Sequence, residues 1–428
     1  MADSHSLSGW RDALSVYADR RQLVILLMGF SSGLPLLLGF STLSYWMAKE
    51  GVTLTAIGGL LAVSTPYSLK FLWAPVIDHG RLPFLTERLG RRRGWMLAIQ
   101  VLLAISIVLL GAGDPRGDIA WIAVMAFVMA FLSASQDIVI DAYRIDILQE
   151  REQGAGAAMT QAGYRFGLLA SGAGAIALAD FLDWFWIYTI MASLIGVGMI
   201  AVLIAPEPET PASGQERPAR SMTSTLKATV VEPLSEFMSR SGAWWILIFV
   251  LFYKYGDAVA GAMANPFYHQ IGFSGVEIAS VTKLFGVIAT LAGIAAGGVF
   301  VAKAGVLAAL LAGGILQAIT NLLFAWLAHT GADLTLLAVA VGADNFTGGL
   351  GSTAFVAYLS GLCHVSCTAT QYALLTSLMA FGRTLLATGA GAMAEWLGWA
   401  GFFVATTALA VPGLLLLLWL KRYPLSVR

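Results

Sequence analysis

Leu168-Leu169-Ala170-Ser171-Gly172-Ala173-Gly174-Ala175 is echoed by Leu385-Leu386-Ala387-Thr388-Gly389-Ala390-Gly391-Ala392, with only Ser against Thr between the two strings. The copies stand 217 positions apart (168 to 385), close to half of the 428-residue chain. The same offset lays the first long apolar stretch over the seventh, and the third over the ninth. Two related halves follow from that correspondence. Small residues at this density let helix backbones approach closely, so the runs themselves read as helix-packing surfaces.

The surroundings of the two runs are a membrane protein's. The chain is 58% hydrophobic and 12% charged, rich in Gly, Trp and Phe and poor in Pro. A soluble domain carries about 25% charged residues. A spanning helix needs about 20 mainly apolar residues. Reading Gly, Pro and charge clusters as punctuation gives twelve segments, near 22–47, 54–77, 94–112, 119–141, 154–179, 184–205, 243–268, 276–302, 305–328, 333–361, 370–394 and 399–420. Two parallel six-helix halves around a central axis resemble the major facilitator superfamily. The expected fold is all-α and transmembrane, with 12 helices in two pseudo-symmetric six-helix bundles. The expected division is an N-terminal bundle over 1–205, a linker rich in proline and charge over 206–241, and a C-terminal bundle over 242–428.

Basic residues set the expected topology. With the N-terminus inside, the inner segments hold Arg20, Arg21, Arg91, Arg92, Arg93, Arg144, Arg151, Arg217, Arg220, Lys227, Lys303, Lys421 and Arg422 among others, whereas the outer loops hold only Lys49 and Arg116. Both termini are therefore expected in the cytoplasm of a multi-pass inner-membrane protein. The polar start has no hydrophobic core of a cleavable signal, so the first apolar stretch should remain as a helix. Net charge is zero, which suggests no nucleic-acid partner. Cys363 and Cys367 read as reduced structural thiols, with no clustered histidine to make a metal site. No metal, cofactor or nucleophile motif is read, so no enzyme is expected. A monomer is the default for the architecture.

A charge near the centre of a spanning helix costs about 2.5–3.5 kcal/mol on insertion scales, so each must face a partner, water or a substrate. Lys70, Arg165, Lys254, Lys283 and Arg383 fall inside spans and are candidates for binding an anionic solute. Arg165 and Arg383 sit at matching depths in the fifth and eleventh spans. Asp137, Asp257 and Asp344 are candidate proton carriers, because a carboxylate moved between apolar and cationic surroundings changes its proton affinity. The histidines lie too near the surfaces for that task. Asp78, Asp141 and Arg144, toward the inner ends of their spans, are candidate gating residues. Asp137, Asp141 and Arg144 share one helix face. Every one of these charges also has a structural reading, a salt bridge that fixes helix register. Gly33-Leu34-Pro35 and Asn265-Pro266 are expected to interrupt the first and seventh spans. Tyr253 is a candidate for stacking on a ring, and Asn345 and Gln371 offer hydrogen bonds to a substrate.

Several strings carry a family resemblance. Gly29-Phe30-Ser31-Ser32-Gly33-Leu34-Pro35, Leu69-Lys70-Phe71-Leu72-Trp73-Ala74-Pro75, Gly90-Arg91-Arg92-Arg93-Gly94-Trp95 and Gly163-Tyr164-Arg165-Phe166-Gly167 are similar to the muropeptide permease (AmpG) family. So are Tyr253-Lys254-Tyr255-Gly256-Asp257-Ala258, Ala369-Thr370-Gln371-Tyr372-Ala373-Leu374-Leu375 and, most specifically, Ser135-Gln136-Asp137-Ile138-Val139-Ile140-Asp141-Ala142-Tyr143-Arg144-Ile145-Asp146. The resemblance implies a proton-driven importer of anhydromuropeptides, serving peptidoglycan recycling in Gram-negative bacteria and thereby β-lactamase induction. Its implied partners are an anionic sugar-peptide, protons and the lipid bilayer. Some members carry two further terminal helices. Acetyl-CoA transporters resemble the same family, so another anionic metabolite is the first alternative, and a non-transporting membrane sensor is the second.

Overall fold

The computed structural model describes residues 15–53, 63–208, 232–239, 242–274, 277–278, 280–364, 367–387 and 389–420. Residues 209–231 and 240–241 of the expected linker lie outside them.

Long aliphatic runs with polar caps make the helices. The first span is α1 (Arg20–Gly39) with α2 (Ser41–Lys49). The second holds α3 (Thr65–Leu69), a 3-10 turn at Lys70–Leu72, and α4 (Ala74–His79). A surface helix α5 (Leu85–Leu89) leads into α6 (Arg91–Gly111), the third span, and α7 (Ile119–Ile147) is the fourth. The fifth is α8 (Gln153–Leu169), a π turn at Ala170–Gly174, and α9 (Ala175–Leu178); α10 (Trp184–Ile204) is the sixth. After a short α11 (Glu232–Ser239), the seventh span is α12 (Ala243–Phe252) with α13 (Tyr255–Gln270). A π turn at Ser280–Phe285 and α14 (Gly286–Ala304) form the eighth, α15 (Val306–Thr330) the ninth and α16 (Leu334–Gly361) the tenth. The eleventh is α17 (Thr368–Ala387), continued by the start of α18 (Ala390–Leu420). Gly398 breaks α18 with a left-handed φ of 66°, and the rest of that helix, from the break to Leu420, is the twelfth span. Side chains of Asp19, Asp118 and Asp333 accept from main-chain amides at the starts of α1, α7 and α16, as helix N-caps do.

Glycines set the tightest contacts. Gly29 and Gly33 of α1 face the carbonyls of Thr160 and Tyr164 on α8, while Gly163 and Gly167 of α8 face the carbonyls of Leu26 and Phe30. Two small-xxx-small stripes thus interlock. In the second half, Gly293 and Gly297 of α14 meet the backbone of Phe346 and Leu350 on α16, and Gly349 returns the contact to Thr290. A Cβ at Gly163 would overlap the Leu26 carbonyl, whereas one at Gly196 meets open space. Gly163→Val should therefore destabilise the protein by about 3 kcal/mol, the upper range of overpacking, and Gly196→Ala should leave it unchanged. Melting in detergent, followed by size-exclusion chromatography, checks both; equal melting of the two variants contradicts the packing.

The helix interruptions differ from those expected. Pro35 and Pro266 both sit inside continuous helices, α1 and α13, where neighbouring helices absorb the missing hydrogen bond. The first span instead breaks at Phe40 (φ −123°, ψ −92°), and the seventh at Tyr253–Lys254. At the second break Gly413 of the twelfth span closes on the Tyr253 backbone and Gly256 on the Thr406 carbonyl. The sequence repeat marks a shared irregularity as well as packing. Its first copy winds into the π turn, whose Ser171 carbonyl accepts from Thr42 Oγ1 at 2.7 Å, and its second copy lies where α17 gives way to α18.

Arg20 reaches the Ile204 carbonyl, and Leu420 shares a core with Phe237, so the described chain ends and the end of the sixth span lie at one face, here called the terminal face. The two halves meet chiefly toward this face. There α8 packs on α14 and α16, and α17 packs on α7, α3 and α4. Ile145 and Ala157 of the first half enter the second half's core, and Ala369 and Ala373 enter the first half's.

Candidate functional site

The terminal face is held by a buried polar latch. Asp78, at the end of α4, is wholly buried. Its Oδ1 accepts from Arg92 at 3.0 Å and from the Ala369 amide at 3.2 Å. Its Oδ2 accepts from the Thr370 amide and the Thr370 hydroxyl, both at 2.7 Å. One carboxylate from the first half thus satisfies unpaired amides in the first turn of α17, where the helix dipole favours negative charge. Arg92 is clamped between Asp78 and Asp146, at 3.0 and 2.9 Å. Asp146 in turn accepts from Thr368 Oγ1 at 2.8 Å. The Arg91 guanidinium donates to the Asp78 main-chain carbonyl. Glu207 accepts from the amides of Arg92 and Arg93, capping α6; burial holds its carboxyl above the ordinary glutamate range.

Arg144 makes a second tie beside the first. It is fully buried on α7, donates to Ser360 Oγ of α16 at 2.9 Å, and lies 3.5 Å from Asp141. Its guanidinium sits 5.4 Å from the Tyr372 ring centroid. Asp78, Asp141 and Arg144 therefore stand together at the junction of the halves. Gln371, expected at a substrate surface, belongs here instead. Its Oε1 accepts from the His364 amide, and its Nε2 donates to Glu236, because it lies in the first turn of α17 at the terminal face. Asp146, Thr368 and Thr370 are members that sequence reasoning missed, whereas Arg92 was read only as one of the arginine cluster that follows Asp78. The acidic Asp78 followed by the arginine cluster signals this network, but about a dozen residues intervene and leave open which arginine pairs with it.

Within the first half, Asp137 accepts from Ser32 Oγ at 2.5 Å. Lys70 is buried on the 3-10 turn, within electrostatic reach of Asp137 and Asp141. Arg165 continues a stripe of α8 that faces the other half. Gly154 and Ala158 touch α14, and Gln161 donates to Thr353 of α16 at 3.2 Å. One turn further on stands Arg165, a residue with exposed surface on the same helix.

The second half has its own cluster. The break at Lys254 starts α13 afresh, which puts Asp257 in a helix's first turn, where a carboxylate is favoured. Lys254 Nζ donates to Asp257 Oδ2 at 3.0 Å. Across from them Asp344 Oδ1 accepts from Gln317 Nε2 at 2.6 Å and Thr320 Oγ1 at 3.3 Å, and Thr347 donates to Gln317 Oε1. Asp257 and Asp344 line one small cavity with Gln317, Asn321 and Tyr268. Asn345 accepts from Thr290 at 2.8 Å and donates to the Val341 carbonyl, joining the eighth and tenth spans. Tyr253, expected to stack on a substrate ring, is a core residue. It stacks on Phe355 with centroids 5.0 Å apart, and its hydroxyl donates to the Leu310 carbonyl; the break in the seventh span turns it inward. The side chains of Lys283 and Arg383 lie outside the described residues.

Nine stretches among the described residues are long and apolar enough to cross a membrane. The family model for the Major Facilitator Superfamily matches residues 23–330. The anhydromuropeptide permease of Escherichia coli strain K12 is 42% identical over 407 residues, covering 95% of this chain and 80% of that one. A putative transporter AmpG 4 of Rickettsia felis is 35% identical over 411 residues, covering 95% of this chain and 98% of that one. Among solved structures, the E. coli fucose:proton symporter FucP matches with a TM-score of 0.70 at 10% identity, over 93% of this chain and 98% of that one. The proton:xylose symporter XylE matches at 0.66 with 14% identity, over 96% and 95%. At such identities those two show the fold, two six-helix bundles, and nothing further. The chain is a multi-pass membrane transporter of the major facilitator superfamily and belongs to its AmpG family.

Proposed function

We propose that this chain imports anhydromuropeptides across the bacterial inner membrane in symport with protons, by alternating access between its halves, for peptidoglycan recycling. The observation that carries the substrate is the 42% identity along 95% of the chain to an anhydromuropeptide permease. The geometry suits such a cargo. Its carboxylates need cations, and Arg165 offers a guanidinium on α8 one turn past Gln161, which bonds to the other half, with Lys70, Lys254, Lys283 and Arg383 as further cationic groups. Asn345 and Gln371 keep structural ties to their own half in this conformation, so a substrate would bind them only by displacing those partners. Asp137, Asp257 and Asp344 are the proton-handling groups in this reading, because each sits among neutral donors or a single cation in a span rather than in a closed salt-bridge network.

The excess of basic residues in the segments read as inner supports a cytoplasmic location for both chain ends. The bundles then run over 1–205 and 242–428, with 206–241 as a cytoplasmic linker. Asp78, Asp141 and Arg144 act as the gate of the cytoplasmic side, shut in this conformation. A monomer suffices for this mechanism.

The test is uptake of labelled N-acetylglucosaminyl-anhydro-N-acetylmuramic acid into proteoliposomes under an imposed inward proton gradient. Uptake should fall to the passive level with a protonophore. Uptake indifferent to the protonophore removes the coupling. No uptake by folded protein removes the substrate, and acetyl-CoA is then the next ligand to try.

A further inference from the structure

We propose that Tyr17, on the short turn ahead of the first span, is a clasp residue of the transport cycle. It closes the seam between the fifth and eighth spans and has to let go when the terminal face opens. The inference rests on the reading that the two halves alternate.

The turn is moored to the first half. Val16–Ala18 wind into a 3-10 turn just before α1. Asp19 accepts from the Arg21 amide at 2.7 Å and from the Arg21 guanidinium at 2.6 Å. That guanidinium also donates to the Ile147 carbonyl at 3.1 Å and to Glu152 at 3.0 Å, where α7 passes into α8. All of these groups belong to one bundle, so the turn moves with it.

From that mooring Tyr17 crosses to the second half. Its hydroxyl donates to the Ala295 carbonyl of α14 at 3.3 Å. Gly298 makes the room, since a Cβ there would overlap the Tyr17 hydroxyl. The same Cβ would press on Ala158 and on the Gly154 carbonyl of α8, so the turn, α8 and α14 converge on one glycine. Gly293 and Gly297 make room for α16 within their own half, whereas Gly298 faces the first half. A tyrosine that only anchored the turn at the membrane surface needs neither the carbonyl nor the notch.

The contact is suited to parting. It is one neutral hydrogen bond, of small net strength, where the Asp78 latch at the other seam binds with charge. The Ala295 carbonyl lies in the middle of α14, so the helix still satisfies it when Tyr17 leaves. The hydroxyl, at the edge of the molecule, returns to water.

The experiment locks the contact. Tyr17→Cys and Ala295→Cys are combined in a full-length chain that also carries Cys363→Ser and Cys367→Ser. The pair is joined by a reducible bis-methanethiosulfonate linker about as long as a tyrosine side chain. Uptake of labelled N-acetylglucosaminyl-anhydro-N-acetylmuramic acid into proteoliposomes is measured before linking, after it and after reduction. Linking should cut uptake by about tenfold or more, the gain expected of a tie that freezes one of two states, and reduction should restore it. Y17C or A295C alone should be indifferent to the reagent. Uptake that continues through the linked pair overturns the clasp, because the contact then never has to part, and so does a pair that does not link. Tyr17→Phe, with the native cysteines in place, is the second measurement. It keeps the ring and loses only the hydrogen bond, so Cys363 and Cys367 of the purified chain should react with maleimide about threefold faster at an unchanged melting temperature. A wild-type rate in Y17F overturns the clasp by itself. Either failure beside normal wild-type uptake leaves the transport reading standing, and no uptake by folded wild-type protein overturns both.

Discussion

Asp78→Ala should unlock the terminal face, cut uptake by at least about tenfold, and expose the native cysteines. Asp78 closes the two halves with four accepted hydrogen bonds, three of them from the opposite half. Removing one partner of a buried ion pair costs about 3–5 kcal/mol, because the remaining charge and amides stay buried. Arg92 and Thr368 keep Asp146, which softens the loss, but the amides of Ala369 and Thr370 lose their acceptor. Even about 3 kcal/mol shifts a two-state equilibrium more than a hundredfold, enough to favour a state with the latch parted. Cys363 and Cys367 flank the latch, are not in disulfides, and are buried. Their rate of modification by a membrane-impermeant maleimide, applied to inside-out vesicles, which expose the terminal face if it is cytoplasmic as proposed, reports the opening directly. In D78A that rate should rise by about tenfold or more. Asp78→Asn keeps an acceptor oxygen for Thr370 but loses the charge facing Arg92, and should fall between. Wild-type uptake together with wild-type labelling in D78A would show that the latch is not what holds the halves.

Much of this architecture was legible because lipid imposes a simple rule: backbone polar groups must be satisfied within the span. Each apolar run therefore becomes a helix, and the observed ends fall close to those read from Gly, Pro and charge. The fourth span runs further, to Ile147, because Arg144 is buried and bonded to Ser360 of the other half and Asp146 accepts from Thr368 there, so these charges do not end the helix. Composition marks a charge but not its partner. Proline misleads for a related reason, since a crowded bundle carries Pro35 and Pro266 inside helices while a glycine-lined approach bends the seventh span at Tyr253–Lys254. Tyr253 and Gln371 read as ligand groups because an aromatic and an amide in a span look the same whether they face a cleft or a core. Asn321 and Gln317 are invisible for the opposite reason. Neutral amides in apolar helices carry no charge signature, and their place in the cavity depends on neighbours from other spans.

Asp257→Asn should abolish uptake and lower the yield of folded protein, and a second substitution should separate these effects. Lys254 has Asp257 as its one ion-pair partner among the described residues, at 3.0 Å inside the seventh span. Its ammonium also lies over the Tyr253 ring, 6.0 Å from the centroid, which is a weak substitute. Stranding a lysine inside a span costs about 2.5–3.5 kcal/mol on insertion scales, a large part of a domain's total stability of about 5–15 kcal/mol. Lys254→Gln with Asp257→Asn removes both charges and keeps the shape of the pair. Its melting temperature should return close to the wild-type value, because two amides at that spacing still hydrogen-bond. If the pair served only to fix helix register, uptake should return with it. The carboxylate's position beside Asp344 in one cavity leads to the other expectation, that the double variant is stable and remains inactive under a proton gradient. Counterflow, in which labelled substrate exchanges against unlabelled substrate with no gradient, refines the outcome. Retained counterflow with lost uptake assigns Asp257 to proton coupling. Loss of both assigns it to substrate binding, and full uptake in the double variant reduces the Lys254–Asp257 pair to a structural tie.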